Sequence, residues 1–192
     1  MRIRVAIVVA LRAVLIALLV YGVARQSLPQ YHDKAMAVRL VVYPLLTCVV
    51  PLVWLARGRP GRYPFDVDGL VVIPFLFDSA GNATNLYDRI WWWDKVEHSV
   101  NWFVLVGAVA LVLARTTVRT PELVGLAIGF GAVTAILWEL GEYVSFIRSN
   151  KTELHGAYTN TLGDLLWGLT GSTVAAVTVA WATRRASPAR VR

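Results

Sequence analysis

Apolar residues run almost unbroken from Val5 to Ala24, from Ala35 to Ala56, from Trp93 to Ala114 and from Glu122 to Phe146, and a fifth run covers Thr161 to Ala182. Each approaches or exceeds the ~20 residues that an α-helix needs to cross a bilayer. A sixth stretch, Val67 to Leu86, is less plain: its continuous apolar part, Leu70 to Phe77, is short and is followed by Asp78, Asn82 and Asn85. The basic residues decide how to read it. With six spans, eleven Arg residues (Arg2, Arg4, Arg57, Arg59, Arg62, Arg115, Arg119, Arg184, Arg185, Arg190 and Arg192) fall on one side. Six basic residues (Arg25, Lys34, Arg89, Lys95, Arg148 and Lys151) fall on the other. With five spans that bias largely disappears. Because positive residues favour the cytoplasmic side, the pattern predicts an all-α bundle of six spans with both termini inside. Gly125 with Gly129, and Gly168 with Gly171, are expected to be helix-packing surfaces.

The first run also resembles a signal peptide, since Arg2 and Arg4 precede it and Gly22 and Ala24 end it. It exceeds the ~7 to 15 apolar residues of a signal sequence and holds Arg12, so it reads as a retained span. Composition agrees with a membrane solvent: of 192 residues 57% are hydrophobic and 16% charged, against about a quarter charged in soluble domains. A net charge of +7 would otherwise suggest nucleic acid. Here the arginines flank apolar runs as topology signals, and nucleic acid is not an expected partner. The lone Cys48 excludes a disulfide framework and reads as a packing residue. One transmembrane domain, residues 1–183, and a flexible basic cytoplasmic tail, 184–192, account for the chain, with the bilayer as its first partner.

Ionisable groups inside spans are costly and mark function by default. Asp78, Asn82 and Asn85 follow i, i+4, i+7 on the third span, and Asp94, Glu97, His98 and Asn101 follow i, i+3, i+4, i+7 on the fourth. Each set lies on one helical face. Glu139 and Glu142 stand one turn apart near the outer end of the fifth span, Asp164 opens the sixth, and Arg39 lies near the outer end of the second. The alternating helix directions put all of these in the outer half, where they predict one polar cavity open to the extracytoplasmic face. Only Arg12 is expected in the inner half. Blander readings stand beside these. Thr161-x2-Asp164 has capping-box spacing, Asp94 favours a helix N-terminus and has Lys95 beside it, and His98 could simply tie two helices together. Glu139 needs a partner, and Arg39 or His98 is expected to supply it.

The sequence Asp94-x3-His98 opening a helix, Trp138-Glu139-x2-Glu142 closing the next, and Thr161-x2-Asp164 opening the last resembles the YjdF-type bacterial inner-membrane family. It is more distantly similar to the VanZ-like membrane proteins. The resemblance covers about the last 100 residues and implies a multi-pass inner-membrane fold with no established activity to carry over.

Three function classes follow. The first is a ligand-binding or accessory envelope protein, with Asp78, Asn82, Glu97, Asn101, Glu142, Asp164 and Arg39 lining an outer site for a lipid or small envelope molecule. The second is a membrane-embedded enzyme acting on a lipid or lipid-linked substrate. There His98 is the acid or base, and Asp94 and Glu139 tune it. A divalent-metal form would use His98, Asp94, Glu139 and Asp164. The third is a small proton-coupled transporter, which the apolar inner half disfavours. Oligomeric state is not legible.

Overall fold

The computed structural model describes residues 1–186 and is all-helical over them, with the side chains of Thr152, Glu153 and Ala186 outside the description. The helices are α1 (Arg2–Ala24), α2 (Met36–Thr47), α3 (Val49–Ala56), α4 (Phe65–Ala83), α5 (Leu86–Arg89), α6 (Trp93–Leu113), α7 (Thr120–Ser145) and α8 (Lys151–Ala186), with a 3-10 turn, Ile147–Ser149, before α8. Five helical stretches are long and apolar enough to cross a membrane: Arg2–Ala24, Met36–Ala56, Trp93–Leu113, Thr120–Ser149 and Leu154–Arg185.

Local chemistry sets most of these boundaries. The second stretch is divided at Cys48, with Pro44 inside α2 and Pro51 inside α3. A proline donates no N–H, so each leaves the carbonyl four residues back without its helical partner. The α7 helix starts with Pro121 in its first turn, and the Arg119 backbone N–H donates to Glu122 Oε2 at 3.2 Å, the acidic half of a capping box. The α4 helix ends two residues before Asn85, which takes a left-handed conformation (φ 58°). Asn85 therefore does not continue the face of Asp78 and Asn82 as the sequence spacing suggested.

The last helix differs most from expectation. It begins at Lys151, ten residues before Thr161, so Thr161 and Asp164 lie in a helix interior and no capping box exists there. Its 36 residues extend about 54 Å at 1.5 Å each, well beyond the ~30 Å hydrocarbon core. Arg184 and Arg185 form its last turn; the rest of the expected tail, 187–192, lies outside the described residues.

The α6 helix is central, packing on α4, α7 and α8, while α1 packs on α2 and α4. Contact between α6 and α8 is close because Gly171 faces the Ser99 carbonyl oxygen and Gly168 faces the Trp102 indole. Gly125 and Gly129 face open space instead, so their spacing marks no packing surface among the described residues. One core joins Leu15, Leu19, Tyr31, Met36, Tyr43, Val72 and Phe75; a second joins Val106, Ala110, Leu123, Ala127, Ala175, Ala176 and Ala180. Around them Ile7, Val14, Val41, Leu52, Leu137 and Val177 are exposed, as apolar side chains facing lipid would be.

The α4 helix runs between the two ends of the bundle. At its start Asp66 accepts from Arg115, which follows α6. Beyond its end Asp88 accepts from Lys34, in the α1–α2 connection, at 2.7 Å.

Candidate functional site

Three neighbouring polar groups build the site at the Lys34–Asp88 end. The first centres on Asp78 of α4, 5% exposed. Its Oδ2 accepts from Arg39 Nη1 at 2.5 Å and from the Tyr43 hydroxyl at 2.7 Å. Its Oδ1 accepts from the Tyr87 hydroxyl at 2.9 Å and from Asn82 Nδ2 at 3.3 Å. Both oxygens of Asp78 are therefore taken. The Tyr87 hydroxyl thus reaches into the bundle, whereas Trp91 and Trp92 are exposed.

Arg39 links this group to the second. Its Nη2 lies 3.5 Å from Glu142 Oε1 on α7, and its Nε donates to the Lys34 carbonyl at 3.0 Å. Glu139, one turn before Glu142, is buried and accepts from the Thr161 hydroxyl of α8 through Oε2 at 2.9 Å. Thr161 is thus the hydrogen-bond partner of Glu139, in place of the expected Arg39 or His98. Donor atoms of His98, Glu139 and Glu142 all lie within 4.8 Å of one another.

The third group lies between α6 and α8. Lys95 Nζ donates to Asp94 Oδ2 at 3.0 Å, Asn160 Oδ1 at 2.7 Å and Asp164 Oδ1 at 2.7 Å. Asn160 Nδ2 donates to Asp164 Oδ2 at 2.6 Å, so Asp164 has neither oxygen free. It anchors Lys95 and is poorly placed for the ligand role its sequence position suggested.

His98 stands where these groups meet. It is 5% exposed, and its Nε2 lies 3.8 Å from Asp94 Oδ1, 3.9 Å from Glu97 Oε2 and 4.0 Å from Asp164 Oδ1. Those separations are too long for hydrogen bonds. Glu97 is buried and its Oε1 accepts from Asn101 Nδ2, while Asn101 Oδ1 is buried without a partner among the described residues. Below this polar end a cleft of about 50 Å³ runs past Trp102, Leu105, Pro74 and Trp138, large enough for a few waters or one hydrated ion. Tyr43, Phe75 and Trp138 pack as tilted rings along its wall, with Tyr43 and Trp138 centroids 5.8 Å apart.

A fourth polar group, at the opposite end of α4, is absent from the expected list apart from its arginine. Arg12 donates to Asp68 through Nη2 at 2.5 Å and Nη1 at 3.1 Å, and Nη2 also donates to the Thr47 carbonyl at 2.7 Å. That carbonyl is the one Pro51 leaves unbonded. The Tyr63 hydroxyl donates to Asp68 Oδ2 at 2.7 Å. Burial and then the Asp68 bond push the Tyr63 phenol up, so it remains a donor. This end of the bundle is therefore more polar than the single expected Arg12, although Val71, Val72 and Phe75 separate this group from Asp78.

Residues 6–185 match the family described as "Predicted membrane protein (DUF2238)". A protein of Thermotoga maritima described as "Uncharacterized protein" is 26% identical over 100 residues, which cover 50% of this chain and 52% of that one. The chain thus spans about half the length of the curated relative it matches. No solved structure matches it.

Proposed function

We propose, for a chain that belongs to the DUF2238 family of predicted membrane proteins, that it is a six-span protein of the bacterial plasma membrane with both termini inside and a polar ligand site open to the extracytoplasmic side. The sixth span is α4, whose 19 residues reach about 28 Å at 1.5 Å each. Two contacts support it. Asp66–Arg115 ties the start of α4 to the basic turn after α6, and Lys34–Asp88 ties the other end to the α1–α2 connection. This arrangement groups the Arg57–Arg62 loop with the Arg115–Arg119 turn, as positive-inside topology requires.

One observation carries the ligand reading: side chains from α2, α4, α6, α7 and α8 converge on a buried imidazole at one end of the bundle, above a cleft. Buried ionisable groups gathered in this way are kept where a ligand or proton uses them. Transport is the weaker reading. Asp68 has its donors within the chain and lies ten residues from Asp78, about 15 Å along α4, with an apolar layer that includes Val72 and Phe75 between them.

Thiol labelling tests the placement. In a Cys48→Ser background, Glu142→Cys is expected to react with a membrane-impermeant maleimide added to intact cells, and Arg62→Cys only after permeabilisation. The reverse pattern would overturn the orientation.

A further inference from the structure

We propose that the ligand of this site is a first-row divalent cation of the Mn²⁺, Fe²⁺ or Zn²⁺ class, held by His98, Glu139 and Glu142 with Asp94 and Glu97 at its margin. The inference rests on the reading of the outer cluster as a ligand site. It stands on three independent features of geometry and charge.

The first is how the carboxylates are held. Each of the four nearest His98, apart from Asp164, has one oxygen engaged and the other without a donor among the described residues. Asp94 Oδ2 is held by Lys95, Glu97 Oε1 by Asn101, Glu139 Oε2 by Thr161, and Glu142 Oε1 faces Arg39 at 3.5 Å. A donor on one oxygen fixes the carboxylate and aims the other, as outer-shell partners do around metal ligands. Asp78 and Asp164, which have both oxygens engaged, are the positioning groups for Arg39 and Lys95.

The second is the imidazole itself. His98 is more than nine-tenths buried, lines the cleft and makes no hydrogen bond to any described residue. Beside it on the cleft wall Asn101 Oδ1 is buried with no hydrogen-bond partner among the described residues, and a buried polar atom left so is rare and calls for a partner. Donor atoms of His98, Glu139 and Glu142 lie within 4.8 Å of one another, as do those of Asp94, Glu97 and His98, so small side-chain rotations bring either set to the ~2.1 Å reach of one ion.

The third is charge. Among the described residues, Asp78, Asp94, Glu97, Glu139, Glu142 and Asp164 meet two fixed cations, Arg39 and Lys95. Buried carboxylates without compensation must take up protons or a cation. One nitrogen donor with carboxylate oxygens and no thiolate suits borderline divalent ions, whereas Ca²⁺ and Mg²⁺ favour all-oxygen shells.

The test is metal analysis of the full chain in detergent after chelator stripping and reloading with Mn²⁺ or Zn²⁺, each alone. Wild type is expected to bind one equivalent, and Glu139→Gln/Glu142→Gln to bind at least tenfold more weakly. His98→Asn should lose stoichiometric binding, and the exposed Glu122→Gln should match wild type. Size-exclusion profiles identify any variant that fails to fold, and the glutamine pair, which keeps side-chain volume, carries the comparison if His98→Asn does. No stoichiometric binding to wild type, or equal binding in the glutamine pair, overturns the proposal. Either result with Glu142→Cys still labelled from outside leaves the ligand site standing without a metal. Metal bound with labelling only from inside reverses the orientation alone.

Discussion

Arg12 and Asp68, 56 positions apart, are joined by two hydrogen bonds with the Asp68 side chain 1% exposed. The same guanidinium satisfies the Thr47 carbonyl released by Pro51. One side chain thereby ties α1 to α4 and to the break between α2 and α3.

Removing only one member of this pair leaves a buried charge without its partner, a loss of about 3 to 5 kcal/mol in comparable pairs. Arg12→Ala and Asp68→Ala are each expected to lower stability by that order in reversible detergent unfolding. Arg12→Leu/Asp68→Leu should recover much of the loss. A double variant no more stable than either single one would show that the pair contributes through something other than charge compensation.

Small residues on α8 and α7 should respond oppositely. A methyl group at Gly171 would overlap the Ser99 carbonyl, which is backbone and cannot swing away. Gly171→Ala is expected to destabilise by at least the ~1 to 3 kcal/mol typical of overpacking. Gly125→Ala and Gly129→Ala have open space around them and gain helix propensity, so their melting temperatures should match or exceed wild type. Equal losses at all three positions would contradict the α6–α8 packing described here.

Reporter fusions after Arg62, Arg119 and the last residue are expected to read cytoplasmic, because the two basic connections share an end of the bundle through Asp66–Arg115. An extracytoplasmic signal from the C-terminal fusion would remove α4 as a span.

Periodicity made the helical class and the five apolar stretches legible, and the stripe of Asp94, Glu97, His98 and Asn101 followed from 3.6 residues per turn. What spacing could not supply was contact between distant segments. Arg12 stood out as a charge in a span, yet nothing in sequence order joined it to Asp68. Thr161 and Asp164 misled for a different reason. Apolar content marks where a helix can enter lipid, not where it begins, and the polar turns from Lys151 to Asn160 continue the same helix. A capping motif and a mid-helix pair share one spacing. Lys95, taken only as a neighbour of Asp94, in fact also bonds Asp164 and Asn160 on α8, because α6 and α8 approach at glycine positions.

The long separation within the Arg12–Asp68 pair also bears on biogenesis. At about 5 to 20 residues per second, Asp68 leaves the ribosome roughly 3 to 11 s after Arg12. During that interval the first helix carries a cation whose buried acidic partner has not been made. The Arg12–Thr47 and Arg12–Asp68 contacts close only once the segments after α1 have been made, so the final packing of the first helix is completed by the arrival of α4.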